Sequence, residues 1–204
     1  PFSPDMWAHQ YDQQVNQVEC SIREDRTFGT NGPEANLYGL EPNFGCGTAN
    51  LSQGWPKFAA HLWMRSNDGL VAAAYAPSRV CETIEGTPVS VTLTTDYPFR
   101  EDLNFEVETE RTVRFTLNLR IPAWAKNARI EIGEETLRPV AGQFYALERE
   151  WKGKQSFRIV LPMQVELLRG ERGTTAIGRG PLVYALKIGE EWKQVYGDLP
   201  GHEL

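Results

Sequence analysis

Residues 113–121 place Val113, Phe115, Leu117, Leu119 and Ile121 in strict alternation with Arg114, Thr116, Asn118 and Arg120. Only an extended strand collects every second side chain on one face; a helix would scatter these five around its circumference. Such a face must be covered, so the stretch predicts a strand of a layered β structure. The same period recurs where Val89, Val91 and Leu93 alternate with Ser90, Thr92 and Thr94. Further strand candidates are 70–76, 79–84, 103–109, 129–132, 143–148, 156–161, 164–168, 174–177 and 181–187, punctuated by Pro122, Pro139, Pro162 and several glycines. Many short strands with turn signals between them and no intervening helices predict a mostly β chain, an antiparallel β-sandwich. A region of about 135 residues can bury roughly two-thirds of its unfolded surface, enough to fold alone.

The character of the chain changes near residue 67, which divides it into 1–66 and 67–204. Residues 1–45 are rich in Gln, Asn, Gly and Pro and lack periodicity, so they read as loops and short strands lying against something else. Leu51, Trp55, Phe58, Ala59, Leu62 and Trp63 then recur at helical spacing, one apolar face of a helix. Proline is comfortable only in a first turn. The helix therefore begins near Ser52 with Pro56 in its first turn, or begins near Thr48 and kinks. Asn67-Asp68-Gly69 reads as its end.

Charge and composition exclude several partners. Of 204 residues, 41% are hydrophobic and the net charge is −6, so the chain is globular and acidic. With no long basic cluster it would repel phosphate backbones, and nucleic acid is excluded as a partner. The longest apolar stretch, Leu70 to Ala76, is too short to span a bilayer, which excludes a membrane. Cys20, Cys46 and Cys81 cannot all pair and lack zinc-ligand spacing, so they read as free thiols of a reducing compartment, which favours the cytoplasm. The chain opens without methionine and reads as starting inside a longer protein, where a missing targeting segment carries no information. Pairing of sheet faces or edges leaves a homodimer open.

Catalytic motifs are scarce. His9, His61 and His202 are the only histidines, and His61, beside the helical stripe, reads as a packed or surface residue. Glu106, Glu108 and Glu110 alternate along a strand and read as a solvated face. One segment stands apart: Asn43-Phe44-Gly45-Cys46-Gly47-Thr48-Ala49-Asn50. A cysteine flanked by glycines just before a helix is sterically open, and the positive helix end favours its thiolate, making it nucleophilic or metal-binding. The competing reading is a small buried hydrophobe.

The run from Tyr38 to Phe58, with Asn43, Cys46, Thr48, Asn50, Gln53, Gly54, Pro56, Lys57 and Phe58 in order, resembles the cysteine segment of glycoside hydrolase family 127, the β-L-arabinofuranosidase-like family. The likeness continues through Thr94-Thr95-Asp96-Tyr97-Pro98, Leu119-Arg120-Ile121-Pro122-Ala123-Trp124-Ala125, Phe144 to Trp151, Leu161-Pro162-Met163 and Arg179-Gly180-Pro181-Leu182-Val183-Tyr184. Asp5-Met6-Trp7-Ala8-His9-Gln10-Tyr11 fits as well. The resemblance implies that 1–66 is the final helix and loops of an (α/α)6 catalytic barrel and that 67–204 is the β-sandwich region. Carbohydrate would then be the substrate, bound through the barrel of a full-length parent.

By the same resemblance, Cys46 matches the family's nucleophile, a thiolate held on zinc, and is thus both the catalytic and the metal-ligating candidate. The second cysteine of the family pair, a zinc ligand, is Gly47 here, so the site implied for the parent lacks one sulfur. Tyr11 falls near a segment that faces the sugar. The remaining ligands and the acid/base glutamate belong to barrel segments upstream of residue 1, and the 204 residues alone are expected to be inactive. The alternative is a non-catalytic sandwich that braces the barrel or binds carbohydrate. Trp124, Trp151 and Tyr184 sit in strand-end or alternating patterns typical of core anchors, which favours bracing; exposed and coplanar, they would instead offer a sugar platform.

Overall fold

A computed structural model describes residues 49–170 and 173–185; Tyr11, Cys20, Cys46, Gly47, His9 and His202 lie outside the described residues. After helical residues 49–51 and a turn, a short helix, α1 (Gly54–Ala60), leads into β1 (Trp63–Ser66), β2 (Gly69–Ala72), β3 (Ser78–Ile84), β4 (Thr87–Thr94) and β5 (Asp102–Arg120). Then come β6 (Arg129–Ile132), β7 (Glu135–Leu137), β8 (Phe144–Val160), β9 (Val165–Arg169), β10 (Thr175–Arg179) and β11 (Leu182–Tyr184). Among the described residues, one compact unit is Trp55–Val165 with Arg179–Leu182, and the other takes in 49–54, 166–170, 173–178 and 183–185.

Pro56 lies in the first turn of α1, where its missing N–H would be unpaired anyway. The helix stops at Ala60, shorter than its apolar spacing predicts. Leu62 is buried instead in the sandwich, where its carbonyl accepts the N–H of Ala73 at 2.9 Å, and Trp63 opens β1. Their helical spacing to Phe58 and Ala59 is coincidental. Asn67-Asp68 closes no helix; it turns β1 into β2, with Ser66 opposite Gly69. None of the residues of α1 is buried, and Trp55 is 78% exposed.

The strand candidates at 103–109 and 113–121 join into β5, and those at 143–148 and 156–161 join into β8. The two long strands pair antiparallel from Asp102↔Val160 to Arg120↔Phe144, with a register shift between Thr109 and Val113. There Glu110, Arg111 and Thr112 stand against Lys152 alone, because Thr109 faces Gly153 and Val113 faces Trp151. Two extra residues preserve parity, so Leu103, Phe105 and Val107 before the bulge and Val113, Phe115, Leu117 and Leu119 after it all point into the core. An odd insertion would have turned half of the strand inside out.

The two halves of these strands belong to different layers. β4 pairs with the first half of β5, through Val89↔Thr109 to Thr94↔Asn104, and β3 extends this layer along β4. β6 joins the end of β8 and carries β7. On the second half of β5 lies β2, parallel to it, from Gly69↔Thr116 to Ala72↔Leu119, with β1 antiparallel at its side. Among the described residues, the pairs of this eight-stranded sheet are antiparallel except for β2 and β5. A parallel pair needs a long crossover, and here β3 and β4 supply it.

One core serves both halves. Phe105 stacks on its cross-strand partner Phe157 with ring centroids 4.7 Å apart, while Trp63 and Tyr75 each meet Phe105 edge-on at 6.2 Å. Trp151 packs on Phe115 and Phe157 and donates its indole N–H to the Phe115 carbonyl at 3.2 Å. Tyr75 donates its hydroxyl to the Arg120 carbonyl at 2.6 Å, and burial holds the phenol far above its ordinary ionisation range. Replacing Tyr75 with Phe leaves that carbonyl without its partner. The expected loss is about 1–2 kcal/mol, read as a lower urea midpoint with an unchanged slope.

Candidate functional site

The motifs of the resemblance that fall on described residues build the sandwich skeleton. Thr95 donates its hydroxyl to the Asp102 carbonyl at 2.6 Å and accepts the Tyr97 N–H at 2.9 Å, which shapes the link from β4 to β5. Ile121 and Ala125 are buried, and Trp124 is half-buried against the core. Glu101 takes the Met163 N–H at 2.9 Å and the Arg179 guanidinium at 2.9 Å, so the Leu161-Pro162-Met163 and Arg179-Gly180 segments meet on one carboxylate. A side chain at Gly180 would run into Met163 at 2.8 Å. Each of these residues thus makes a packing or hydrogen-bonding contact within the sandwich.

The aromatic candidates divide accordingly. Trp151 is wholly buried and Trp124 half-buried, both as core anchors, whereas Tyr184 on β11 is 47% exposed. Phe99 and Phe144 are exposed as well, but Phe99 lies between β4 and β5 and Phe144 opens β8, at opposite ends of the long strands. Glu108 and Glu110 are exposed along β5 and Lys154 pairs with Glu106 at 2.8 Å, the solvated face that the alternation predicts.

Two grooves mark the sandwich surface. The first, of about 450 Å³, runs past Arg65, Asp68, Glu82, Arg114 and Glu148. Arg65 and Glu82 form a two-point ion pair with the Arg65 Nε 2.9 Å from Glu82 Oε2, and Glu82 also accepts the Thr83 N–H at 2.8 Å. These bonds hold the Glu82 carboxyl below its ordinary range and the Arg65 guanidinium above its own. Asp68 is likewise lowered, chiefly by the hydroxyl of Ser66 at 2.7 Å and then by Thr116. Nothing local in the sequence signals this groove: Arg65 and Glu82 come together only because β1 and β3 edge the two layers on the same side.

The second groove, of about 580 Å³, is lined by Arg79, Cys81, Pro88, Ser90, Glu108 and Glu110. Cys81 is an exposed free thiol there, and Arg79 donates to the Ser90 hydroxyl at 3.2 Å. His61 is exposed just beyond α1, with Nδ1 2.6 Å from the Lys57 carbonyl.

The chemistry of these groups is that of a braced surface. A general acid working at neutral pH needs a carboxyl raised above its ordinary range; Asp68, Glu82 and Glu131 are all displaced downward. Among the described residues no three of His, Cys, Asp and Glu come together as a metal-holding group.

Glu131 carries the plainest pH consequence. Its carboxylate accepts Arg129 Nε at 2.7 Å and Arg158 at 2.6 Å, which lowers its proton affinity in the folded state. A depressed carboxyl contributes stability above its unfolded pKa and loses it as pH falls through the folded one. Glu131→Gln should therefore lower the melting temperature at pH 7, with the gap to wild type closing toward pH 3. A gap equal at both pH values would refute the ion-pair account.

Residues 69–163 match the family described as beta-L-arabinofuranosidase, GH127 middle domain. None of the curated proteins compared matches the chain. Among solved structures, a GH127 β-L-arabinofuranosidase from Geobacillus stearothermophilus T6 is 26% identical with a TM-score of 0.62, over 69% of this chain and 24% of that one. A protein described as a glycoside hydrolase is 19% identical with a TM-score of 0.70, over 89% of this chain and 30% of its own. A GH127 β-arabinofuranosidase is 20% identical with a TM-score of 0.59, over 70% and 26%. The last two show the fold alone. The chain spans under a third of the length of each of these three proteins.

Proposed function

We propose, from the premise that the sandwich is a family 127 middle domain, that this chain is the C-terminal part of a retaining glycoside hydrolase acting on arabinofuranosides. The observation that carries the reading is the match of residues 69–163 to that domain, joined to 26% identity with a β-L-arabinofuranosidase. The sandwich then serves as a brace for a catalytic barrel to which residues 1–61 contribute, since Leu62 and β1 belong to the sandwich. Burial of Trp151 and partial burial of Trp124 favour bracing over a sugar-stacking surface.

In the proposed chemistry the Cys46 thiolate attacks the anomeric carbon. The carbon–oxygen bond to the leaving group breaks as the carbon–sulfur bond forms, and an acid of the parent barrel protonates the departing oxygen. Water, deprotonated by the same group, then displaces sulfur and restores the thiolate, with net retention. Tyr11 is placed beside the sugar in this scheme. Zinc activation belongs to what the resemblance implies, but the donor chemistry of this segment does not fit it alone. Cys46 supplies one sulfur and Gly47 has no side-chain donor atom, so no step runs through a metal.

The test uses the full-length parent, wild type beside Cys46→Ser, with nitrophenyl β-L-arabinofuranoside as substrate and bound zinc measured in both. Wild-type turnover that falls on the order of a thousandfold or more in the variant supports a thiolate nucleophile. Equal turnover in both proteins would overturn that role, and no wild-type turnover would overturn the arabinofuranoside assignment.

A further inference from the structure

We draw no further inference here: the strongest candidate, the exposed apolar patch of Leu167, Ile177 and Val183 on the three-stranded sheet β9–β11, carries nothing because nothing in the structure shows what covers it.

Discussion

Replacing Gly69 with Ala should be among the most damaging single substitutions in the sandwich. Gly69 begins β2 at φ 155°, directly opposite Thr116 of β5. A Cβ there would lie 2.1 Å from the Thr116 carbonyl oxygen and 2.9 Å from its nitrogen, and both are backbone atoms of a central strand. Relief requires β2 to move off β5, which breaks the parallel pair and the bond from the Thr116 N–H to the Asp68 carbonyl at 2.9 Å. The expected cost is about 3–5 kcal/mol. Gly86→Ala provides the control. Gly86, at φ 70° in the turn between β3 and β4, has open space where a Cβ would stand. It carries only the left-handed backbone penalty, about 1–2 kcal/mol. Denaturant unfolding of both variants decides: equal losses would show that backbone conformation alone governs Gly69 and that close approach of β5 does not.

Trp151→Ala should be comparably severe, by a different mechanism. Trp151 heads the largest fully buried side chains and stands opposite Val113, just past the bulge where the long strands pass from one layer to the other. Truncation removes its contacts with Phe115 and Phe157 and leaves the Phe115 carbonyl without the indole donor. The cavity and the lost transfer energy together cost about 3–5 kcal/mol, a drop in melting temperature on the order of 10–20 °C. Trp151→Phe separates the two contributions, since it keeps much of the packing and forfeits the hydrogen bond. Its loss should be about half as large; a loss equal to that of Ala would assign the whole effect to the hydrogen bond.

The candidate site was legible only where its signal is local. Cys46 stands out because glycines flank it and a helical pattern follows within a few residues. Tyr11 was reachable through resemblance alone. Both lie outside the described residues. The groove of Arg65, Asp68 and Glu82 was illegible for the opposite reason, since folding brings together strands whose partners the sequence does not name.

The sequence by itself determined the β character, most strand positions and the inward faces of β4 and of the second half of β5. Period-two burial is a local property: Val113, Phe115, Leu117 and Leu119 must share a side whichever strand pairs beside them. It left the place of Pro56 open between a first turn and a kink, and the structure breaks the helical path at 52–53 and begins α1 at Gly54. Only the tertiary structure decided that Leu62 and Trp63 leave the helix for the sheet, where core burial outweighs a spacing that suits both. It alone joined two strand candidates into β5 and two into β8, because a bulge of matched parity lets one strand serve two layers. It alone set β2 parallel to β5. Pairing partners are chosen by contacts distant in sequence, and alternation is blind to the direction of the strand that covers it.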